Sequence, residues 1–210
     1  SRHNTHSKAV CDALAANKNV YVEKPLALTV SELEDIHQAY VDNGKSHIMV
    51  GFNRRFAPST KEIIKHFDSV QSPLIINIRV NAGFLSADHW TQDADEGGGR
   101  MIGEGCHFID LASAITNSDV KTIYAVGSSK NDKSALLNDN LCLSLTFENG
   151  SIGNITYTAD GSKAMAKEYI EVFGGGRSAQ IKDFKEISLF DGDKNVKNKK
   201  FGSQDKGQKL

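Results

Sequence analysis

The chain has 210 residues, 39% of them hydrophobic, and its 25 basic and 26 acidic side chains leave a formal net charge of -1. An ordinary globular protein of one or two domains has this composition, and near-neutral charge gives no electrostatic reason to expect nucleic acid or an anionic membrane as partner. No stretch approaches the roughly 20 apolar residues of a membrane span. The opening SRHNTH lacks the charged-then-apolar pattern of a signal peptide, so the expected compartment is the cytoplasm and the expected ligand is small. Cys11, Cys106 and Cys142 are widely spaced, with no CxxC. They suggest neither a disulfide framework nor a zinc site and read as small buried hydrophobes.

The first elements alternate. Ala9, Val10, Ala13 and Leu14 recur at helical spacing within residues 6–17, and VYV, residues 20–22, reads as a short buried strand. A second helix starts behind a hydroxyl and carboxylate three residues apart, either Thr29 with Glu32 or Ser31 with Glu34. Leu33, Ile36 and Tyr40 mark its expected buried side, Asn43-Gly44 closes it, and HIMVGF, residues 47–52, reads as another buried strand. Helix, strand, helix, strand is the alternation that a parallel sheet with crossover helices requires. Residues 1–56 are therefore expected to be part of a Rossmann-like parallel α/β domain.

Near residue 57 the character changes, and residues 57–210 read as a second, α+β domain. A helix over 59–67 leads into strand-rich sequence: LIINIRVNAGF, VKTIYAVGS, NLCLSLTFENGSIGNITYTA, EYIEVFGGG, RSAQIKDF and KEISLFDGD. Glu-Asn-Gly-Ser at 148–151 is a hairpin signal. In LCLSLTF, Leu141, Leu143, Leu145 and Phe147 share one face, and Cys142, Ser144 and Thr146 the other. A large, open, mainly antiparallel sheet is expected, packed by helices on one face and semi-polar on the other. The lysine-rich end from residue 191 reads as a turn, a short strand and a solvated tail.

Two stretches carry candidate chemistry. Lys24, in VYVEKPLALT, sits at the exit of a buried parallel strand, where open α/β sheets bind ligands. Position alone leaves it either a proton-exchanging group or a surface charge at a strand end. In GGGRMIGEGCHFIDL, residues 97–111, three glycines precede a helix bearing His107 and Asp110. Glu104 lies three residues before His107, a spacing that lets its carboxylate orient the imidazole. A core histidine satisfied by a backbone carbonyl is the alternative.

In order and context these stretches resemble the GFO/IDH/MocA oxidoreductases, named for glucose-fructose oxidoreductase and inositol dehydrogenase. SRHNTH resembles the family's Thr-Pro-Asn-x-x-His segment, and VYVEKPLALT carries its Glu-Lys-Pro signature. VGFNRRFAP resembles the crossover into the second domain, and GGGRMIGEGCHFIDL the Gly-Gly-Gly-x-x-x-Asp-x-Gly-x-His-x-x-Asp helix. The resemblance covers nearly the whole chain. It implies an NAD- or NADP-dependent dehydrogenase acting on a sugar, polyol or nucleotide sugar. Lys24 matches the lysine that exchanges a proton with the substrate hydroxyl, and His107 the histidine that shares this work. Asn4 and His6 match positions near the nicotinamide; Glu23 and Pro25 shape the loop, whose Lys-Pro bond is often cis in the family. Asn53, Arg54 and Arg55 follow the last Rossmann strand and are expected either along the substrate cleft or, for the arginines, as surface charges. His89 and Trp90 are expected against a sugar ring, with burial in the sheet the alternative for Trp90. Glu104 and Asp110 complete the substrate set.

Two departures stand out. The family aspartate one turn before the histidine is Gly103 here, so either Glu104 takes its role or the site manages without it. No GxGxxG occurs in the 210 residues. The expectation is therefore the C-terminal portion of a larger oxidoreductase, not turning over by itself and forming a homodimer or tetramer through the open sheet face. A non-catalytic binding or dimerisation module with the same fold is the rival. A metal-dependent hydrolase is disfavoured, because the histidines lack ligand spacing.

Overall fold

A computed structural model describes residues 1–128 and 139–208. The chain forms two compact units, the first from Ser1–Phe52 and Ser86–His107, the second from Asn53–Leu85, the residues following His107 and those from Asp139 onward. Residues 86–107 thus return to the first unit after the chain has entered the second.

In the first unit, α1 (His6–Ala15), β1 (Val20–Val22), α2 (Val30–Asn43) and β2 (Ile48–Val50) follow the expected alternation. The strands pair in parallel, Val20 opposite Ile48 and Val22 opposite Val50. Of the two possible capping pairs, Thr29 with Glu32 is the one used. Thr29 Oγ1 accepts from Glu32 N at 3.1 Å, and Glu32 Oε2 accepts from Thr29 N at 3.2 Å, so two amides that the helix leaves open are satisfied. Gly44, left-handed at φ 62°, ends α2. The core is Val10 and Leu14 of α1, Val22 of β1 and Ile36 of α2, with Leu26, Ala27 and Ala39 packed around it.

Two expectations need correction here. Leu33 and Tyr40 are 45% and 43% exposed, since α2 turns Ile36 and Ala39 inward and both of those exposed residues lie on the flank of the helix away from Ala39. The strands are not buried on both faces: α1 and α2 cover the side of Val20, Val22, Ile48 and Val50, and Tyr21 and Met49 point the other way and are exposed. This is the period-two alternation of any strand with one covered side.

The second unit opens with α3 (Pro58–Phe67), started by a proline at its first turn. The remaining strands are β3 (Ile75–Asn81), β4 (Val120–Gly127), β5 (Leu141–Phe147), β6 (Ile152–Thr158), β7 (Glu168–Gly174), β8 (Arg177–Lys182), β9 (Glu186–Asp191) and β10 (Lys194–Lys200). They form one sheet in the order β10-β9-β8-β7-β3-β6-β5-β4, antiparallel throughout except for the parallel pair β3 and β6. The alternation in LCLSLTF is realised residue by residue, with Leu141, Leu143, Leu145 and Phe147 buried and the intervening residues exposed. Ile76, Ile78, Ile155, Ile170, Val172 and Ile181 extend the covered face, where α3 packs over β8 and β9. Phe108, Leu111, Ala112 and Ile115 of α4 (Cys106–Thr116) are likewise buried. In the 148–151 hairpin only Gly150 takes a positive φ, while Asn149 holds the turn by accepting from Ser151 N at 3.0 Å.

Two further expectations fail in this unit. Cys142 is exposed and Cys11 and Cys106 are only partly covered; Cys142 alternates with the leucines of β5 and must face the open side. Residues 201–207 are not a solvated tail. Phe201 N donates to Lys185 O at 2.7 Å, Gln204 Nε2 to Asp183 O at 2.8 Å, and Lys206 Nζ to Glu168 Oε1 at 2.6 Å. Buried Gly207, at φ 84°, lies so close to Asn53 that a Cβ would meet its carbonyl oxygen at 2.1 Å.

Candidate active site

In the first unit, β1 ends at Val22 and Glu23, Lys24 and Pro25 follow, with the Lys24-Pro25 peptide cis. Lys24 is partly buried and its Nζ donates to Gly103 O at 2.5 Å. Gly103 belongs to a π-helical turn, Met101–Gly105, that runs directly into α4. Such turns recur at functional sites. His107, four residues after Gly103, is buried with its ring edge-on to Phe52 at 6.0 Å. Lys24 is thus tied to the turn that precedes His107. Glu104 Oε2 lies 3.4 Å from Arg100 Nη2, an i,i+4 pair within the same segment.

The four residues expected on the cofactor side, Asn4, His6, Glu23 and Pro25, all lie in the first unit. His6 is buried, and its Nδ1 donates to Pro25 O at 2.7 Å, because a carbonyl can only accept. His6 Nε2 then accepts from Ser1 Oγ at 3.0 Å. Asn4 is exposed, its backbone N–H donating to Glu96 O at 3.3 Å. Glu23 is exposed at the strand exit, and a Cβ on Gly51 would meet its Oε2 at 2.9 Å. His89 caps a short 3-10 turn, Trp90–Gln92, so Trp90 is in this turn and not in the sheet. His89 Nδ1 accepts from Thr91 N at 3.3 Å, and Arg2 Cζ lies 4.6 Å from the centre of the Trp90 ring.

One residue that sequence reasoning passed over stands at the centre of this cluster. His3 is 7% exposed, donates from Nδ1 to Gly97 O at 2.8 Å, and sets its ring edge-on to Trp90 at 4.6 Å. A Cβ on Gly103 would lie 2.9 Å from His3 Cε1, so the imidazole occupies the space a side chain at 103 would need. Burial holds the His3 pKa below 6.5, against the opposing Gly97 hydrogen bond, and the nearby charge of Lys24 acts in the same direction as burial. Its sequence signal is the histidine at the third position of SRHNTH, beside Asn4 and His6. Gly97 is a glycine for a related reason: its Cβ would meet the Thr91 Cα at 2.4 Å.

In the second unit the predicted residues Arg54 and Asp110 are held in ion pairs. Arg54, 5% exposed, places Nε and Nη2 on Glu168 at 3.1 and 2.9 Å, while Arg55 forks onto Asp110 through Nε at 3.0 Å and through Nη2. The Asp110 hydrogen bond raises the Arg55 pKa further. Burial pushes the Glu168 carboxyl up, but the hydrogen bonds and charges of Arg54 and Lys206 outweigh it and leave the pKa below its ordinary value. Asn53 Oδ1 is buried without a hydrogen-bond partner. Among the described residues, no cluster of His, Cys, Asp and Glu is arranged to hold a metal.

Comparison with known proteins agrees with this anatomy. Residues 1–52 match the model of an oxidoreductase family with an NAD-binding Rossmann fold, and residues 72–179 match the GFO/IDH/MocA C-terminal domain. The class is thus that of NAD-binding oxidoreductases with a Rossmann-like segment followed by a large, mostly antiparallel sheet. Within it, the chain belongs to the GFO/IDH/MocA family. The uncharacterized oxidoreductase YrbE of Bacillus subtilis (strain 168) is 31% identical over 185 residues, 83% of this chain and 51% of that protein. Myo-inositol 2-dehydrogenase of Thermotoga maritima is 29% identical over 187 residues, 83% of this chain and 52% of that protein. The chain spans about half the length of these relatives. Among solved structures, an inositol dehydrogenase homolog from Azotobacter vinelandii, complexed with NADH and myo-inositol, superposes with a TM-score of 0.79. The match is at 19% identity and covers 97% of this chain and 55% of that one.

Proposed function

We propose that the protein is an NAD- or NADP-dependent dehydrogenase acting on a CH–OH carbon of a small polyol, sugar or nucleotide sugar, with Lys24 and His107 as its acid-base pair. The observation that carries this reading is the bond from Lys24 Nζ to Gly103 O, at the exit of a parallel strand and in the turn that leads to His107. Lys24, His6 and His107 lie in the unit that carries the parallel strands, and they suit the reacting end of a nicotinamide cofactor. Its diphosphate calls for a glycine-rich turn opening a helix, and these 210 residues, which span about half the length of the relatives, contain no GxGxxG, so turnover is not proposed of this stretch alone.

When bound, the cofactor supplies the oxidising or reducing chemistry at the carbon. Lys24 exchanges the hydroxyl proton: neutral, it takes the proton as the alcohol becomes a carbonyl, and charged, it returns it in reduction. The Gly103 carbonyl holds the ammonium in place between these events. His107, buried beside Phe52, shares the proton through its ring nitrogens. We assign Asn4, His6, Glu23 and Pro25 to the cofactor side and His89, Trp90 and Glu104, of the same unit, to the substrate; for Asn53, Arg54 and Asp110, in the second unit, the substrate role rests on the family resemblance alone.

The open sheet face is the proposed contact between subunits, giving a dimer or tetramer in the cytoplasm. Ile75, Tyr124, Val126, Ile152 and Phe173 are 48%, 71%, 52%, 44% and 36% exposed there, an apolar surface that a partner would cover.

The test is the complete natural protein, assayed with NAD⁺ and NADP⁺ against a panel of polyols and sugars by absorbance of the reduced nicotinamide. Turnover with one of them, lowered by about 10²- to 10⁴-fold in Lys24→Met, is the expected outcome. Turnover that survives Lys24→Met undiminished, or no binding of reduced nicotinamide to the complete protein, overturns the reading.

A further inference from the structure

The contacts of His3 reach further than its own packing. Its imidazole lies against the Cα of Gly103, its Nδ1–H is bonded to Gly97 O, and Gly103 O is the acceptor on which Lys24 Nζ rests. Two backbone segments, the glycine run and the π-turn, are therefore fastened by one ring, and the second of them carries the proposed proton-exchanging lysine. Trp90 backs the ring from another side at 4.6 Å. The ring is thus hemmed in by Trp90 and Gly103.

We propose that His3 is the positioning residue for Lys24, and that His3 and Gly103 form a matched pair in which the imidazole fills the space of a side chain at position 103. The proposal rests on the reading of Lys24 as the proton-exchanging group. A carbonyl places an ammonium only as well as the carbonyl itself is placed. With the ring removed, Gly103 and Gly97 lose the contact and the hydrogen bond that fix their separation, and Lys24 follows its acceptor. Any side chain at 103 has the same effect from the opposite direction, because it expels the ring. The neutral state of His3, favoured by burial, suits this role, because an imidazolium would set a second cation beside the ammonium.

The role predicts a split in the kinetics. Displacing a reacting group by about an ångström costs on the order of 10²-fold in rate. In the complete natural protein, His3→Ala should lower kcat by about 10- to 100-fold while KM for substrate and the cofactor Kd change by less than about threefold. His3→Asn, which keeps a donor at the position of Nδ1, should recover most of kcat. An unchanged kcat in His3→Ala, a loss confined to KM, or a His3→Asn variant no better than His3→Ala overturns the proposal. Lys24→Met, run in parallel, separates the two readings. If it is fully active, the functional reading itself fails; if it is dead and His3→Ala is normal, only the positioning role fails.

A thermal cycle on the complete natural protein needs no activity. Gly103→Ala should lower Tm by several degrees in the natural background and by clearly less in a His3→Ala background, because the alanine methyl then has room. Equal losses in both backgrounds refute the matched pair.

Discussion

Truncating Glu168 exposes the energetics of the second unit most directly. Its side chain is 0% exposed and that of Arg54 6%, and the carboxylate accepts two hydrogen bonds from Arg54 and one, at 2.6 Å, from Lys206, itself 18% exposed. Glu168→Ala removes the only negative charge in that group and leaves a guanidinium and an ammonium facing each other inside the protein. Removing one member of such a buried pair costs about 3 to 5 kcal/mol, because the Arg54 guanidinium, 6% exposed, is left without its partner and with little access to water. For a protein of this size each kcal/mol moves Tm by about 2 to 4 °C, so a fall of roughly 6 to 20 °C is expected by calorimetry. The double variant Arg54→Met/Glu168→Leu, which fills similar volume without charge, should recover much of that loss. Acid gives an independent reading. The folded pKa of Glu168 lies below the ordinary 4.5, so its contribution is present above that value and is lost as pH falls through the lower, folded pKa. The stability gap between the natural protein and Glu168→Gln should accordingly shrink below pH 4.5. A loss in Glu168→Ala of under about 1 kcal/mol at neutral pH would refute the reasoning, since it would mean that the two cations find other partners or water.

Other outcomes follow from single contacts. Thr29→Ala should cost about 1 kcal/mol in urea unfolding, since Glu32 N then loses its acceptor. Phe147→Ala, at a side chain 1% exposed, should cost about 3 to 5 kcal/mol. Charging the open face with Val126→Lys and Ile152→Lys should shift the protein to a monomer in analytical ultracentrifugation with an unchanged circular dichroism spectrum; a wild-type monomer at all concentrations would remove that face as an interface. Cys142, exposed on the same face, should react with a thiol reagent faster in the charged variant than in the assembled protein.

Much of the fold was legible because it is written in short-range pattern. The Thr29-Glu32 capping box, the break at Gly44, the Leu141 to Phe147 alternation and the Asn149-Gly150 turn each depend on neighbours within a few residues, and periodicity reports those. The same reading went astray where one face had to be chosen among several apolar candidates, as with Leu33 and Tyr40 beside Ile36. For Cys142 two readings compete: its residue type suggests burial, while its place between Leu141 and Leu143 puts it on the uncovered side, and the alternation of the strand prevails.

The sequence by itself determined the alternation of helix and strand, the antiparallel strands that follow, and the two stretches that carry Lys24 and His107. Tertiary structure alone decided which groups answer one another across distance. Lys206 docks the chain's end on Glu168, 38 residues earlier, Arg54 reaches the same carboxylate across 114 residues, and His3 fills the space above Gly103. Periodicity carries no information about such partners, because a buried charge or an empty glycine face is satisfied by whatever group the completed fold brings to it.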